Sequence, residues 1–324
     1  MTATAPHPGE AFPAPAFAVV RVDESRLGMA AQRLVAASAS ADPGAGERFL
    51  AAARQHGIDL RAFWVSLDVP SGRVRQTCLA VPGAGKTAMF FTSRPRSASE
   101  SKELAAVIEA ACRDVSPVVR LAQALLTPGE GEAQVAFEAA GFVKLASLAY
   151  LHRPRPRPHE FAPFQSPQWQ PGMTVRNVEP GEDAALLEAL ERTYEDTLDC
   201  PALCGLREIH DVLESHRATG RHDPKLWWMV WFESRPLGAM LFNPCPDQGT
   251  IELVYLGLSP ELRGKGIASR LLGFGLHRLS NRREPEVTCA VDLQNQPALR
   301  LYSRHGFTTS VQRLALVRPL SPGA

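Results

Sequence analysis

The sequence predicts an α/β fold of the mixed-sheet, α+β kind, in which one sheet-and-helix unit is used twice. Three observations predict it. The chain has 324 residues, more than the roughly 100 to 200 of a typical single domain, so two domains are the default. A proline-rich run, "HRPRPRPHEFAPFQSPQWQPGM" (His152 to Met173), divides it; repeated Pro removes backbone donors and disfavours helix at each preceding residue, which reads as an extended linker. Finally, "AQVAFEAAGFVKLASLAYLHRP" (Ala133 to Pro154) and "ALRLYSRHGFTTSVQRLALVRP" (Ala298 to Pro319) align without a gap at an offset of 165, with six identities in 22 positions. The units expected are a tail at 1–16, a first domain at 17–152, a linker at 153–172 and a second domain at 173–320.

In the first half, "RAFWVSLD" (Arg61 to Asp68) and "MFFTS" (Met89 to Ser93) read as strands, and "SRPRSASESKELAAVIEAA" as a turn plus a helix that a Ser can cap. The offset sets these strands opposite Leu226 to Glu233 and Val254 to Leu258. The second half opens with a strand at "TVRNV", followed by helices within "EDAALLEALERTYEDT" and "LREIHDVLESHRA". Strands come next at Leu226 to Phe232, Leu237 to Phe242 and Thr250 to Leu258, then a helix from Gly266 to about Leu279 with Ile267, Leu271, Leu272 and Leu279 on neighbouring turns. A strand "EVTCAV", a helix "PALRLYSRHG" and a strand "VQRLALVRP" complete it. Antiparallel runs beside strand-helix-strand crossovers imply a mixed sheet with helices on its faces.

"AVPGAGKTAMFF" (Ala80 to Phe91) resembles a phosphate-binding loop but lacks its first glycine, since Ala80 stands there, and a bulky strand-like run follows where a helix is required. The offset places Pro82 to Lys86 opposite Asp247 to Ile251, so the cluster reads as a hairpin turn, for which glycine's tolerance of positive φ is suited.

Hydrophobic content of 45%, charged content of 21% and a net charge of +1 describe an ordinary globular chain and give no reason to expect nucleic acid or an anionic membrane as partner. The first sixteen residues lack Lys and Arg and carry several prolines, unlike a secretory signal, and read as a disordered tail. No uninterrupted apolar run reaches the roughly 18 residues a membrane span requires. Six scattered cysteines form no disulfide framework, which makes the cytoplasm the simplest compartment.

The chemistry concentrates in "IELVYLGLSPELRGKGIASRLL" (Ile251 to Leu272): a strand, a Pro-containing turn, a glycine-rich loop and an amphipathic helix. That order offers free N–H groups of the loop and helix N-terminus to an anion. Gly264 and Gly266 let the backbone approach a ligand, and Arg263 and Lys265 add positive charge. The arrangement resembles the GNAT superfamily of N-acetyltransferases. Its acyl-CoA signature, [QR]-x-x-G-x-[GA], is matched by Arg263-Gly264-Lys265-Gly266-Ile267-Ala268, and N-x-x-A-x-x-x-Y-x-x-x-G-F by Asn295, Ala298, Tyr302, Gly306 and Phe307. The resemblance spans Met173 to Pro319 well and the first half weakly.

The resemblance implies two GNAT-like domains and transfer of acetyl from acetyl-CoA to a primary amine, without a metal or a covalent intermediate. Backbone amides from Arg263 to Ala268 would hold the CoA pyrophosphate. Exposed backbone of Leu256 and Leu258 would pair with the pantetheine amides, and Asn295 would lie beside that arm. Glu252 would relay the amine proton, directly or through water, and Tyr302 would protonate the departing thiolate; an amine near pKa 10 needs such a route at neutral pH. A backbone N–H near Leu256 would meet the oxyanion.

In the same register the first half has Ala98, Ser99, Ser101, Thr87, Glu130 and Phe137 where the second has Arg263, Gly264, Gly266, Glu252, Asn295 and Tyr302. It reads as a degenerate domain that packs against the second and shapes its acceptor cleft. The competing class is a non-catalytic acyl-CoA-binding or regulatory protein, and tandem family members that make small-molecule thiols are a further alternative. Cys200, Cys204, His210 and His216 lie close in sequence but match no common zinc spacing, and Glu195, Asp196 and Asp199 read as a solvated helix end in the region that lines the acceptor site in this family.

Overall fold

The computed structural model describes residues 17–36, 42–157, 160 and 168–321; the expected tail at 1–16 and residues 158–159 and 161–167 of the expected linker lie outside them. The first half runs β1 (Phe17–Arg21), α1 (Leu27–Val35), α2 (Ala45–Gln55), β2 (Phe63–Asp68), β3 (Val74–Gly83), β4 (Thr87–Thr92), α3 (Ala98–Val115), β5 (Leu121–Leu126), α4 (Gly131–Ala139) and β6 (Val143–Pro154). The second repeats the order with β7 (Met173–Asn177), α5 (Asp183–Tyr194), α6 (Ile209–Ala218), β8 (Trp227–Phe232), β9 (Arg235–Cys245), β10 (Thr250–Leu258), α7 (Ile267–Leu279), β11 (Glu286–Asp292), α8 (Gln296–Arg304) and β12 (Thr308–Pro319). Both ends of α4 and α8, and both ends of β6 and β12, stand 165 residues apart, the offset the sequence predicts.

All the strands join one twelve-stranded sheet in the order β1-β2-β3-β4-β5-β12-β6-β11-β10-β9-β8-β7. The halves therefore exchange their last strands. β12 pairs antiparallel with β5 (Leu314↔Leu126 to Pro319↔Leu121), while β6 pairs antiparallel with β11 (Tyr150↔Ala290), and the two exchanged strands pair with each other at the centre. β6 runs on to Pro154, so His152, Arg153 and Pro154 are strand rather than linker. A cut between 152 and 173 would divide the chain without separating two sheets.

Alternating side chains give each half two apolar faces. On one face, Ala80, Phe90, Leu104, Ile108 and Phe137 pack beneath α3 and α4, and Ile251, Leu253, Leu271, Leu276 and Tyr302 beneath α7 and α8. On the other, Phe63, Val65 and Leu79 meet α1 and α2, and Trp227, Met229 and Leu241 meet α5 and α6. "PGAGKT" is a hairpin: Gly83 pairs with Thr87, and the turn takes positive φ at Gly85 (66°) and Lys86 (52°).

The ladder corrects one correspondence. Thr87 pairs with Leu121 as Thr250 pairs with Glu286, so the residue equivalent to Glu252 is Met89, not Thr87. The hairpins and the strands they precede differ in length, and a single ungapped offset cannot follow that difference.

Candidate active site

β10 and β11 are parallel neighbours at only three positions, Thr250↔Glu286, Ile251↔Val287 and Glu252↔Thr288. Beyond Glu252 they part, and the β9–β10 ladder slips between Leu253 and Tyr255, leaving Val254 with no register partner on either side. A bulge at this point redirects a strand and frees its backbone groups. The parting opens a cavity of about 610 Å³. Leu256, Leu258, Arg263, Gly264, Gly266, Ile267, Ala268, Asn295 and Tyr302 all line it, so the structure gathers residues from both sequence motifs in one place. Lys265 stands exposed on the loop between the two glycines.

The loop's geometry explains its glycines. Gly264 and Gly266 have φ of 73° and 74°, where a side chain is strained, and a Cβ on either would meet no protein atom within 4 Å. The requirement is thus backbone conformation beside open space, not tight packing. Gly266 is the N-cap of α7 and no side chain caps that helix. Its first-turn N–H groups have no intrahelical acceptor and carry the positive end of the helix dipole, an arrangement that receives phosphate.

Arg263 departs from the role assigned to it by the sequence. Its N–H donates to the Pro260 carbonyl. Its guanidinium donates to the carbonyls of Leu258 (2.9 Å), Asp196 (2.9 Å), Thr193 (2.9 Å) and Glu195 (2.7 Å). The last carbonyls of α5 and the residues after it lack helical partners, and a planar fork of donors satisfies several at once. Arg263 therefore pins the segment after α5 to the end of β10. Charge at the cavity comes instead from Arg300 and Arg304, which line it four residues apart on α8; that i, i+4 spacing around Tyr302 was legible in the sequence.

Tyr302 is 7% exposed, with its ring 5.6 Å from that of Phe307 in an edge contact. Burial, then the nearby Cys289 thiol and Asp199 carboxylate, push its phenol well above the ordinary value, so it stays protonated and able to donate. Asn295 lines the cavity and its carboxamide oxygen also caps α8, accepting from Ala298 N at 3.2 Å.

Glu252 directly precedes the cavity-lining stretch from Leu253 to Leu258. It alternates with Ile251 and Leu253, which face α7, and so projects toward α5 and α6, opposite Asn243 on β9. Burial raises its carboxyl above the ordinary value, offset in part by the Cys245 thiol 3.9 Å away. Tyr150, brought by exchanged strand β6 to the same face, has its phenol raised by burial and then by the Glu252 charge.

Tyr255 and Gly257 were missed by the sequence reading. The Tyr255 hydroxyl meets Thr193 Oγ1 at 2.5 Å, and its ring contacts those of Tyr194 (5.8 Å) and His216 (5.3 Å). A Cβ at Gly257 would lie 2.5 Å from that hydroxyl, so the glycine makes room for it. A tyrosine and a glycine two apart on one strand share a face, which was the available signal. Of the three acidic residues after α5, Asp196 and Asp199 line the cavity. Asp199 accepts from the Asp292 N–H at 2.9 Å, tying that segment to the end of β11, and its carboxyl is raised by its enclosure in the cleft. Among the described residues no group of three or more His, Cys, Asp and Glu is placed to hold a metal ion.

Known proteins are similar to this chain in sequence and in fold. Residues 186–307 match the Acetyltransferase (GNAT) family. A mycothiol acetyltransferase of Thermomonospora curvata is 32% identical over 171 residues, 52% of this chain and 54% of that protein, and one of Streptomyces griseus is 30% identical over 138 residues, 43% and 44%. Each match spans about half the relative's length. In fold, a GCN5-related N-acetyltransferase from Sphaerobacter thermophilus superposes with a TM-score of 0.58 at 21% identity, covering 96% of this chain and 98% of that one. A tandem GNAT protein from the clavulanic acid biosynthesis pathway gives 0.50 at 15% identity, covering 95% and 100%. The chain thus has the tandem GNAT fold, and the family match falls in its second half, which carries the cavity.

Proposed function

We propose that the second half transfers acetyl from acetyl-CoA directly to a primary amine. The observation that carries this reading is the uncapped N-terminus of α7 opening into the cavity where β10 and β11 part. Amides from Gly264 to Ser269 and the rim arginines Arg300 and Arg304 would hold the phosphates of acetyl-CoA. Unpaired backbone beyond Glu252 would meet its amide-bearing arm, beside Asn295. The N–H at the Val254 bulge, off both ladders, suits the developing oxyanion. Arg263 acts by holding the segment after α5 in place.

Glu252 accepts the proton that the amine loses as its nitrogen bonds to the acetyl carbon; a carboxyl raised toward neutrality is a better base than an ordinary one. Tyr302 gives its proton to the sulfur as the carbon–sulfur bond breaks. The two protonation changes balance; Tyr302 lines the cavity, and Glu252 directly precedes the strand segment that does. The relatives' name makes the amine whose acetylation yields mycothiol the first acceptor to test, ahead of amino acids, polyamines, aminoglycosides and peptide N-termini.

The test is thiol release from acetyl-CoA with each acceptor. At least one amine should support turnover, and Tyr302→Phe should bind acetyl-CoA normally while losing about a hundredfold in kcat. Tight acetyl-CoA binding with no release on any amine would make this a binding protein; full turnover by Tyr302→Phe removes that residue's role.

A further inference from the structure

The hairpin Gly83–Thr87 of the first half is built into the second half. Gly85 lies so close to α6 that a Cβ there would fall 1.9 Å from the Asp211 carbonyl and 2.4 Å from Ser215 Oγ. Ser215 Oγ donates to the Ala84 carbonyl at 3.1 Å, and Arg207 donates to the carbonyls of Gly85 at 3.4 Å and Asp211 at 2.7 Å. Lys86 meets the largely buried Asp211 carboxylate at 3.2 Å from a positive-φ conformation that lysine seldom adopts. The turn's other side is anchored by Arg120 N and Leu121 N, both donating to the Lys86 carbonyl.

The opposite side of α6 leads to the reaction site. Leu213 is buried in the cluster that includes Tyr255, and the His216 ring lies on Tyr255 in the irregular part of β10. At the helix's end, Asn243 Nδ2 donates to the carbonyls of His216 and Thr219, both at 2.7 Å, and Asn243 is the β9 residue directly opposite Glu252. An unbroken series of contacts therefore runs from the hairpin through α6 to Glu252 and to the bulge.

We propose that Gly85 and Lys86 are positioning residues for acetyl transfer: the first half's hairpin clamps α6, and α6 fixes Glu252 and the Val254–Leu258 stretch of β10. The first half thus contributes to turnover without a ligand of its own. This rests on the reading that β10 carries the chemistry.

The proposal is tested with Gly85→Val, which cannot be seated against α6, and Lys86→Gly, which keeps the positive φ but removes the ion pair. A third protein, Lys86→Asp with Asp211→Lys, reverses the pair; Asp tolerates the turn conformation. Gly85→Val should lower kcat with the acceptor about tenfold to a hundredfold, with the KM for acetyl-CoA within about twofold. Lys86→Gly should lower kcat several-fold, and the reversed pair should recover most of that loss. Amide hydrogen exchange provides a readout independent of the acceptor: residues 209–219 and 254–258 should exchange faster in both disrupting variants, with α3 and α4 unchanged. If wild-type protein acetylates no amine, the proposed function fails while exchange still decides this coupling. Exchange altered only within the hairpin, or raised equally across both halves, overturns it, as does a reversed pair no better than Lys86→Gly.

Discussion

Two helices at equivalent places, α3 and α7, begin in opposite ways. The first is sealed by its own sequence: Ser97 accepts from Glu100 N at 3.3 Å, and Glu100 accepts from Arg96 N at 2.8 Å. Its first turn continues over residues that the second half uses as a glycine loop. Beneath it Phe90, Phe137 and Phe142 pack edge to ring at 5.6 and 4.9 Å, the last two at the positions that Tyr302 and Phe307 take in the second half. An uncapped start such as that of α7 leaves backbone donors unsatisfied, which is unfavourable to the empty protein. The first half closes the equivalent helix with its own side chain.

The strongest way to break this comparison is at Glu252. Glu252→Gln should lower kcat/KM by about a hundredfold or more, read from pH–rate profiles. In the wild type, activity should rise with pH as the carboxyl ionises, with the limb above the ordinary carboxylate range because burial raises Glu252. The variant should lack that limb. A smaller effect is expected at Gly266→Val, where the left-handed backbone disfavours a side chain by roughly 1–2 kcal/mol and the new methyls enter the open cradle. Calorimetry should show acetyl-CoA affinity falling by about tenfold. Smallest in function is the reverse change, Phe137→Tyr, which restores the second half's residue to the first. With Ser97 and Glu100 still sealing α3, acetyl-CoA stoichiometry should stay at that of the wild type. A hydroxyl placed at this fully buried position should cost roughly 1–3 kcal/mol in thermal unfolding.

Much of this was legible in the sequence because it rests on periodicity and spacing. β10 has the bounds its alternation predicts, and α8 and β12 repeat α4 and β6 in register. The cavity-lining motif residues converge because glycine spacing encodes backbone geometry directly. Side-chain commitments were less legible. Arg263 reads as charge for a phosphate, yet carbonyls more than sixty residues upstream claim it. Tyr255 and Gly257 look like an apolar strand until their partners on α5 and α6 are known. Strand exchange was invisible for a related reason: alternation reveals which face is buried but not which strand lies alongside. With β6 and β12 matching so closely, either could sit beside β5 or β11.

That exchange gives the chain a temporal order. The edge of the first half's sheet at β5 is covered by residues 314–319, which are synthesised well after β5 itself. During translation, β5 is exposed and β6 has neither β11 nor β12 to pair with. The early product thus waits as an incomplete sheet with an adhesive edge, a state open to wrong pairing or chaperone capture. Completion by β12 closes both halves in one event, so the two should gain their final stability together.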